Sequence, residues 1–513
     1  MQLSRTPVVF LDIQTTGAKP DNAHMLEIAW STLASEDIHS RLVALPDTQE
    51  IPWRIQMITG IKQNEMTAAI PLADVISSFL EFMQTHAAEN PVVVIHFAQF
   101  EKPFLTDAFA KLQKEIPFEI LCTHEIAKRL FPNLPTRGIK GLAGYFGCPS
   151  GEFKRASNHV QATQVIWQGL ITALQEKGIS SLPALQEWLT QTPKAARTKY
   201  EYPLPKEKRL SLPKEPGIYR MLSRWGEVLY VGKATSLHDR VNSYFRGQKN
   251  RDTRKLEMLT QVWDLHVTVV ASPLEAALLE TDEIKRLNPP YNVSLKTGRR
   301  EMVFFNKCFT EKSTVPDAQF SMGPFSSATP LDSILKLSQS LRDGVFQEDI
   351  FYEELPAEDI RQGFEIFCVR HNLNADDFKS MRNILALGAW WYRDLVEEEA
   401  EEEDAQNSEE EEEETPLTPK DIADKFERHF IRSAATYLRA KKLTRLLNSR
   451  IVIYAENKIE LTVRGGFVDK DLAAPVKKSW EGLSIDTYDR MTVLQMEINK
   501  LSARHPVEIE LAK

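Results

Sequence analysis

Between Gly217 and Asn292 the chain holds tyrosine, arginine and glutamate in a set order. This stretch reads Gly217-Ile218-Tyr219, ten further residues, Tyr230-Val231-Gly232-Lys233, and then Arg240, Tyr244-Phe245, Glu280 and Pro290-Tyr291-Asn292. Two short apolar runs, 217–222 and 228–231, enclose the turn-forming residues Arg224-Trp225-Gly226-Glu227. This pattern predicts a β-hairpin, on which Tyr219 and Tyr230 point to one face of a small sheet.

The residue types of this stretch suit the hydrolysis of a phosphodiester. That reaction needs an activated water, a cation over the developing negative charge and a metal ion near the leaving oxygen. Arg240 offers a planar fork of donors that matches phosphate oxygens. Glu280 is a hard oxygen ligand of the kind that holds Mg²⁺ or Mn²⁺ together with waters. The apolar spacing within 273–287 predicts that Glu280 lies on an amphipathic helix.

The ordered set resembles the GIY-YIG nuclease domain, most closely the version at the front of the repair endonuclease UvrC and its stand-alone homologue Cho. By this resemblance Tyr219 would be the general base or its relay, with Lys233 nearby lowering its pKa. Arg240 would steady the scissile phosphate, and Glu280 would be the single protein ligand of the metal ion. The remaining positions would orient water and phosphate or brace the site: Tyr230, Tyr244 and Asn292.

A second set of motifs precedes this stretch. Residues 8–17 form an apolar run that ends in Asp12-Ile13-Gln14-Thr15-Thr16-Gly17, and 96–105 and 158–164 supply Glu101, His159 and Gln164. These motifs resemble those of the DEDDh 3′–5′ exonucleases, the family of the proofreading subunit of replicative DNA polymerase. The resemblance implies an RNase H-like fold over almost the whole segment 1–190.

The exonuclease-like motifs depart from the family pattern at their acidic positions. The family uses four carboxylates to hold two divalent ions about 4 Å apart. Here Asp12 remains, Glu101 is a longer substitute, and Gln14 and Gln164 are neutral. Each lost charge is worth on the order of 4 kcal/mol at about 4 Å and an effective dielectric near 20. We therefore expect a degenerate site, inactive or weak and used for binding, although the family's general base survives as His159.

Length and composition indicate a multidomain enzyme of the cytoplasm. A chain of 513 residues corresponds to about three domains. No apolar run approaches the ~18 residues of a membrane span, and no secretory leader precedes the first motif. Four cysteines lie far apart without a CxxC pair, at 122, 148, 308 and 368, which favours a reducing bacterial cytoplasm and argues against zinc or an iron–sulfur cluster. We expect no membrane partner and no small-molecule cofactor.

The net charge of −9 conceals basic segments. Residues 397–414 contain thirteen acidic residues and no lysine or arginine, so the rest of the chain is net positive. Two segments, 203–300 and 415–450, carry net charges of +7 and +6, which suits contacts with nucleic-acid phosphates. The candidate DNA-binding residues follow the Tyr244-Phe245 pair: Arg246, Lys249, Arg251, Arg254 and Lys255.

These observations predict a multidomain α/β chain. Its predicted segments are an exonuclease-like domain (1–190), an extended linker (191–216), a GIY-YIG domain (217–300), a UvrC/Cho-like helical middle region (301–396), an acidic disordered run (397–414) and a basic mixed α/β C-terminal region (415–513). Helices are expected over 331–341, 376–396 and 422–447, and a hairpin over 451–463. The acidic run is open to three interpretations, as a tether, a DNA mimic or an autoinhibitor.

The predicted function is a metal-dependent endonuclease that incises one strand of damaged or branched DNA in repair, with DNA and a damage-loading protein such as UvrB as partners. The second nuclease domain and helix-hairpin-helix modules of full UvrC are not recognisable, so one kind of incision is expected. Two alternatives stay open. One is a DNA-binding or recruitment protein whose nuclease site is idle; the other is an active 3′–5′ exonuclease with proofreading-like duties.

Overall fold

The computed structural model divides the chain into two compact units. The first comprises Met1–Ala276 with Leu287–Ser294, and the second comprises Ala277–Arg286 with Leu295–Lys513. Among the described residues, no helix has both the length and the apolar character needed to cross a bilayer. The structure describes residues 2–35, 37–46, 49–86, 91–148, 151, 153–192, 199–246, 252–293, 301–326, 329–351, 354–395, 417–454, 458–468 and 479–511.

The first unit opens with a five-stranded sheet in the order β3-β2-β1-β4-β5. Strand β1 is antiparallel to β2 and parallel to β4, which is parallel to β5. Alternate residues of β1 pack on opposite faces: Phe10 joins one buried cluster, and Leu11 and Ile13 join another. The strands are β1 (Val9–Thr15), β2 (Met25–Thr32), β3 (His39–Leu42), β4 (Val92–Ile95) and β5 (Glu119–Cys122).

Helices cover both faces of this sheet, as the two buried clusters require. The longest of them, α6, is 21 residues long and packs along β1 and β2. The mixed sheet with flanking helices confirms the predicted RNase H-like exonuclease fold. The helices are α1 (Trp53–Thr59), α2 (Leu72–His86), α3 (Ala98–Lys111), α4 (Thr123–Leu130), α5 (Ile139–Tyr145), α6 (Ala156–Glu176) and α7 (Leu182–Thr190).

The connecting segment differs from the extended linker predicted for 191–216. Residues 199–216 are described, and they include the short helix α8 (Lys206–Leu210). Leu204 is buried in the core of the following domain, with Tyr202 and Leu212 packed beside it. The proline and lysine content of this segment predicts an extended chain from local composition alone. The packing of its apolar side chains depends on tertiary contacts, which composition does not indicate.

The second part of the first unit is a three-stranded antiparallel sheet in the order β7-β6-β8. The predicted hairpin is present: β6 and β7 are joined by a turn in which the Ser223 amide donates to the Glu227 carbonyl, at 2.8 Å, and Gly226 has φ +85°. The elements are β6 (Gly217–Leu222), β7 (Val228–Ala234), α9 (Leu237–Ser243), α10 (Thr253–Gln261) and β8 (Asp264–Val269). Helix α11 (Pro273–Leu287) follows, as its apolar spacing predicted.

In the second unit, the described residues after 295 form two small sheets and five long helices. An aromatic core of Phe364, Phe367, Phe426 and Phe430 joins α13 to α15, and Ile384 of α14 belongs to the same buried cluster. Helix α15 begins with Thr418 as its N-cap, whose hydroxyl accepts from the Asp421 amide, and with Pro419 at its first position. The elements are β9 (Val303–Phe305), β10 (Lys312–Ser313), β11 (Met322–Phe325), α12 (Thr329–Asp343), α13 (Ala357–Arg370), α14 (Met381–Leu395), α15 (Pro419–Leu446), β12 (Ser449–Tyr454), β13 (Lys458–Arg464), β14 (Phe467–Val468), α16 (Ile485–Ser502) and β15 (Val507–Leu511).

The predicted elements of the C-terminal half are present. Helices α12 and α15 contain the segments 331–341 and almost all of 422–447, and α14 follows a short 3₁₀ turn, Ala375–Lys379. Strands β12 and β13 pair antiparallel and form the predicted hairpin. The acidic run 397–414 lies outside the described residues, and the division of the chain into six segments stays a prediction.

Candidate active site

A cluster of three tyrosines lies on one face of the β6–β7 hairpin. Tyr219 is paired with Gly232, and Tyr230 is paired with Met221, so the register places both tyrosines on the same face. Their ring centroids are 6.1 Å apart. A Cβ at Gly232 would lie 2.4 Å from the Tyr219 hydroxyl. The glycine is therefore required because the Tyr219 ring lies across the neighbouring strand.

Helix α9 brings Arg240 and Tyr244 to this face. The helix begins at Ser236, whose hydroxyl accepts from the Asp239 amide. The Tyr244 hydroxyl lies 2.9 Å from the Tyr219 hydroxyl, and the Arg240 guanidinium lies 5.4 Å from the centre of the Tyr244 ring. Three phenol groups and one guanidinium thus share a single cluster, with Tyr244 partly exposed and Tyr219 fully buried.

The pKa of the Tyr219 hydroxyl depends on its burial and on its neighbours. Burial raises the pKa of the Tyr219 hydroxyl well above its ordinary value, Tyr244 and Tyr230 add to the effect, and Arg240 opposes it. Lys233 is paired with Ile218, one residue before Tyr219, and so belongs to the opposite face of the hairpin. The pKa of Tyr219 is thus shifted upward, opposite to the lowering expected from Lys233, and the role of Lys233 in the site stays a prediction.

Asn292 forms two side-chain hydrogen bonds with the backbone of β7. Its side-chain carbonyl accepts from the Val231 amide at 3.0 Å, and its side-chain amide donates to the Val231 carbonyl at 2.9 Å. The amide of Tyr291 donates to the Leu229 carbonyl at 3.0 Å. These bonds hold the residues on either side of Tyr230.

Glu280 lies half-buried on α11, in the portion of the helix that belongs to the second unit. A single carboxylate fits Mg²⁺ or Mn²⁺, since Mg²⁺ keeps several waters and is often held by one or two carboxylates. Its assignment as the metal ligand stays a prediction.

The candidate DNA-binding residues occupy different surroundings. Arg246 is exposed just after Tyr244-Phe245, and Lys255 is exposed on α10. Arg254 donates to the Pro290 carbonyl at 3.1 Å, so it also ties α10 to the segment before Asn292. Lys249 and Arg251 lie outside the described residues.

The exonuclease-like site is built around Asp12 on β1. The Gln14 side-chain amide donates to one Asp12 oxygen at 3.0 Å, and the His159 ring nitrogen Nδ1 lies 3.1 Å from the other. Burial opposes protonation of His159, but the Asp12 carboxylate raises the pKa of His159 above its ordinary value. Burial, reinforced by Asp12, raises the pKa of Glu101 well above its ordinary value.

The two glutamines therefore act differently in this site. Gln14 places a donor against the Asp12 carboxylate, whereas Gln164 donates to the Thr32 carbonyl at 2.9 Å. A cavity of about 400 Å³ adjoins Asp12, His96, Phe100, Glu101 and His159. Within the part of the chain that the structure describes, no three His, Cys, Asp or Glu side chains are grouped to hold a metal ion.

Comparisons with known proteins match both halves of the first unit. A family model of the UvrC-like GIY-YIG domain matches residues 215–293, and an exonuclease family model matches residues 9–151. A Mycobacterium tuberculosis protein whose name describes a bifunctional exonuclease/endonuclease is 29% identical over 342 residues, 64% of this chain and 51% of that protein. UvrABC system protein C of Chlorobaculum tepidum is 37% identical over 141 residues, 26% of this chain and 22% of that protein.

Two solved structures also match. One is the GIY-YIG N-terminal endonuclease domain of UvrC from Thermotoga maritima, bound to its catalytic divalent cation, magnesium; it is 33% identical and covers 17% of this chain and 94% of that chain, with a TM-score of 0.16. The other is exonuclease X in complex with 5′ overhanging duplex DNA, which is 22% identical and covers 33% of this chain and 93% of that chain, with a TM-score of 0.26.

The fold and the two domain matches define a nuclease. More particularly, the chain joins an exonuclease domain at 9–151 to a UvrC-like GIY-YIG domain at 215–293, which confirms both predicted resemblances. The match spans about half the length of the Mycobacterium protein and less than a quarter of the Chlorobaculum protein.

Proposed function

We propose that the chain is a metal-dependent DNA endonuclease of the UvrC/Cho type that incises one strand of damaged or branched DNA in repair. One observation carries the proposal: Tyr219, Tyr230, Tyr244 and Arg240 form a single cluster on the hairpin of a domain that matches the UvrC-like GIY-YIG family. In the reaction a water oxygen adds to phosphorus as a backbone P–O bond breaks. The products are a phosphate on one end of the nick and a hydroxyl on the other.

The proposed roles follow from burial and charge. Arg240 binds the scissile phosphate and stabilises its growing negative charge. Tyr219 is buried and acts as a relay through the hydrogen bond between its hydroxyl and that of Tyr244. The more exposed Tyr230 and Tyr244 orient the water and the phosphate. A divalent cation held by Glu280 would make water acidic and stabilise the leaving oxygen.

DNA is the proposed partner, and each unit offers basic residues for it. Arg246 follows Tyr244 by two residues in the sequence. The guanidinium of Arg254 lies 6.0 Å from the centre of the Tyr291 ring, and Lys255 is the next residue along the chain. In the second unit, residues 428–446 of α15 include no acidic residue. Four of the exposed cations there are spaced by four, seven and three residues, which places them on one face over about 21 Å: Arg428, Arg432, Arg439 and Lys442. We call them the basic stripe.

The exonuclease domain is proposed to be inactive or weak and to serve in binding. Two of the family's acidic positions are glutamine, and the amide of Gln14 lies against the carboxylate on which a metal ion would depend. The specific alternative is an active 3′–5′ exonuclease, which the exonuclease family match and the name of the Mycobacterium relative favour. An assay for release of nucleotides from 3′ ends separates the two.

The names of the relatives favour nucleotide excision repair, a damage-loading protein such as UvrB as a further partner, and the bacterial cytoplasm as the compartment. A DNA-binding protein with an idle nuclease site is the remaining alternative. The acidic run 397–414 stays open as a tether, a DNA mimic or an autoinhibitor.

The deciding experiment maps cleavage by the full chain on end-labelled duplex, bubble, flap and lesion substrates, with and without Mg²⁺ or Mn²⁺. We expect a single nick in one strand of each substrate that is cut, abolished by chelation and by Glu280→Gln. Glu283→Gln, on the same helix and paired with Arg286, is the matched control and should nick normally. Metal-independent nicking, or normal nicking by Glu280→Gln, would contradict the proposal.

A further inference from the structure

The exonuclease domain and the GIY-YIG domain pack together through helices α5 and α10. The Thr136 amide donates to the Thr260 hydroxyl at 3.2 Å, and the Trp225 indole donates to the Gly147 carbonyl at 2.7 Å. The rings of Tyr145 and Trp263 lie 5.3 Å apart. We call this contact the seam. The two hydrogen bonds and the tilted ring contact indicate that the two domains are held in one arrangement.

One close approach in the seam is between Gly144 and Gln261. A Cβ at position 144 would lie 1.8 Å from the Gln261 side-chain oxygen and 2.3 Å from its side-chain carbonyl carbon. Gln261 is almost fully buried, so its side chain fits only because residue 144 has no side chain. A methyl group at Gly144 would displace the end of the Gln261 side chain.

The displaced end of Gln261 is a group that holds Tyr291. The side-chain amide of Gln261 donates to the Tyr291 hydroxyl, and that hydroxyl donates to the Glu257 carboxylate at 2.8 Å. Both Glu257 and Gln261 lie on α10, one turn apart. Tyr291 is thus fixed by the same helix that forms the seam, and burial together with Glu257 raises the pKa of its hydroxyl above the ordinary value.

Tyr291 and Asn292 in turn hold the strand that carries Tyr230. The Tyr291 amide donates to Leu229, and the Asn292 side chain forms two hydrogen bonds with Val231. A continuous line of packed and hydrogen-bonded groups therefore runs from Gly144, in the exonuclease domain, through Gln261 and Tyr291 to both neighbours of Tyr230.

We propose that the exonuclease domain positions the GIY-YIG active site, with Gln261 and Tyr291 as positioning residues that transmit the fit at Gly144 to Tyr230. This inference rests on the proposed function and deepens it by giving the exonuclease domain a role that needs no exonuclease chemistry. Alignment of reacting groups is sensitive to small shifts, since a misplacement of about 1 Å can lower a rate by about 10²-fold. A partial displacement passed through Tyr291 should lower turnover without removing any group that touches the DNA.

The test uses the full chain in four forms: Gly144→Ala, Tyr291→Phe, the double variant, and Gly178→Ala. Gly178 has φ +80° and open space around its missing side chain, so its substitution strains the exonuclease domain away from the seam. Gln261→Met is a further probe that removes the amide donor and leaves Gly144 its space. Nicking is measured as kcat and KM, and hydrogen exchange is measured over residues 228–234.

We expect Gly144→Ala and Tyr291→Phe each to lower kcat about 10-fold with less than about twofold change in KM. The double variant should match Tyr291→Phe, since both act along one line. Exchange at the Val231 amide, which Asn292 protects, should accelerate in all three and in Gln261→Met, but not in Gly178→Ala. If the kcat losses of the two single variants multiply in the double variant, or if exchange over 228–234 is unchanged, the inference is overturned. Exchange does not depend on cleavage, so a chain that never nicks DNA would refute the proposed function while the exchange data still decide on the seam.

Discussion

The hydroxyl of Tyr219 lies 2.9 Å from that of Tyr244, and the Tyr219 ring is fully buried. At this distance one hydroxyl donates a hydrogen bond to the other. The orientation of each hydroxyl therefore depends on the other. Because Tyr219 has no exposed surface, its contribution to chemistry passes through Tyr244 and Arg240.

Removing the Tyr219 hydroxyl should lower incision strongly while leaving the fold in place. Tyr219→Phe keeps the ring that fills the space over Gly232 and removes the partner of Tyr244. We expect nicking to fall about 10²-fold, with unchanged affinity for DNA. Tyr244→Phe breaks the same hydrogen bond, so the double variant should lose little more than either single variant. Independent, multiplicative losses would show that the two hydroxyls work separately.

A side chain at Gly232 should also disable the site. Gly232→Ala places a methyl group 2.4 Å from the Tyr219 hydroxyl and 2.8 Å from the Tyr230 ring, so the two tyrosines must separate. We expect at least about a 10²-fold loss in nicking rate, in line with the effect of misaligned reacting groups. Gly226→Ala has open space around it and strains only the backbone of the turn, at φ +85°. It is therefore the control for strain in the hairpin and should lower nicking far less, whereas near-normal nicking by Gly232→Ala would contradict the assigned geometry.

The exonuclease domain should release no nucleotides from a 3′ end. The assay uses the full chain carrying Glu280→Gln, so that the proposed endonuclease is silent, with Mg²⁺ and 3′-labelled DNA. Restoring both carboxylates with Gln14→Glu and Gln164→Asp should recover some release, because each charge favours metal binding by on the order of 4 kcal/mol. Robust release before restoration, abolished by Asp12→Ala, would establish the active-exonuclease alternative.

The basic stripe on α15 should contribute to the salt dependence of DNA binding. Each phosphate neutralised on B-DNA adds about −0.9 to the slope of log affinity against log salt. Replacing Arg432 and Lys442 with glutamine should therefore make the slope less steep by about 1.8. Fluorescence anisotropy of a labelled duplex at several salt concentrations measures it. Lys379→Gln, which removes an exposed lysine paired with Asp376, should leave the slope unchanged; equal slopes for wild type and the stripe variant would exclude DNA contact by these two residues.

The stability of the chain should fall as the pH drops below 6.5, in part because of His96. Burial lowers the pKa of His96 from 6.5 to about 3, with His124 and His159 adding to the effect. The unfolded chain therefore binds a proton between these values that the folded chain does not, and folding stability rises with pH across that window. At pH 5 the loss is roughly 2 kcal/mol. His96→Gln should show a smaller drop in thermal stability between pH 7.5 and 5; an equal drop would remove His96 as the cause.

Local signals in the sequence predicted the elements around the candidate site. The hairpin follows from apolar runs on either side of Gly226, and α11 follows from apolar spacing, since both patterns reflect which face is buried. The roles of Tyr230, Arg240 and Glu280 depend on resemblance, and they stay predictions. The structure adds that the hairpin register places Tyr219 and Tyr230 together.

Tertiary contacts explain what the sequence could not predict. Burial raises the pKa of Tyr219, and the cluster that encloses it includes Leu204 and, from α9, Leu237 and Val241; no local sequence pattern indicates this packing. Leu204, in the segment predicted as a linker, is buried in the same cluster. Glycines at 138, 141, 144 and 147 recur every third residue, but such a spacing does not reveal that Gln261, distant in sequence, fills the space at Gly144.

The side chain of Asn292 has a further consequence for the edge of the small sheet. Strand β7 is an edge strand of the order β7-β6-β8, and an open edge is a template for strand addition by another molecule. A carboxamide carries one acceptor and one donor, as a peptide group does, and Asn292 presents both to Val231. It thereby occupies the edge in place of a fourth strand. The same two hydrogen bonds therefore satisfy backbone groups of β7 that an open edge would otherwise offer to a strand of a second chain.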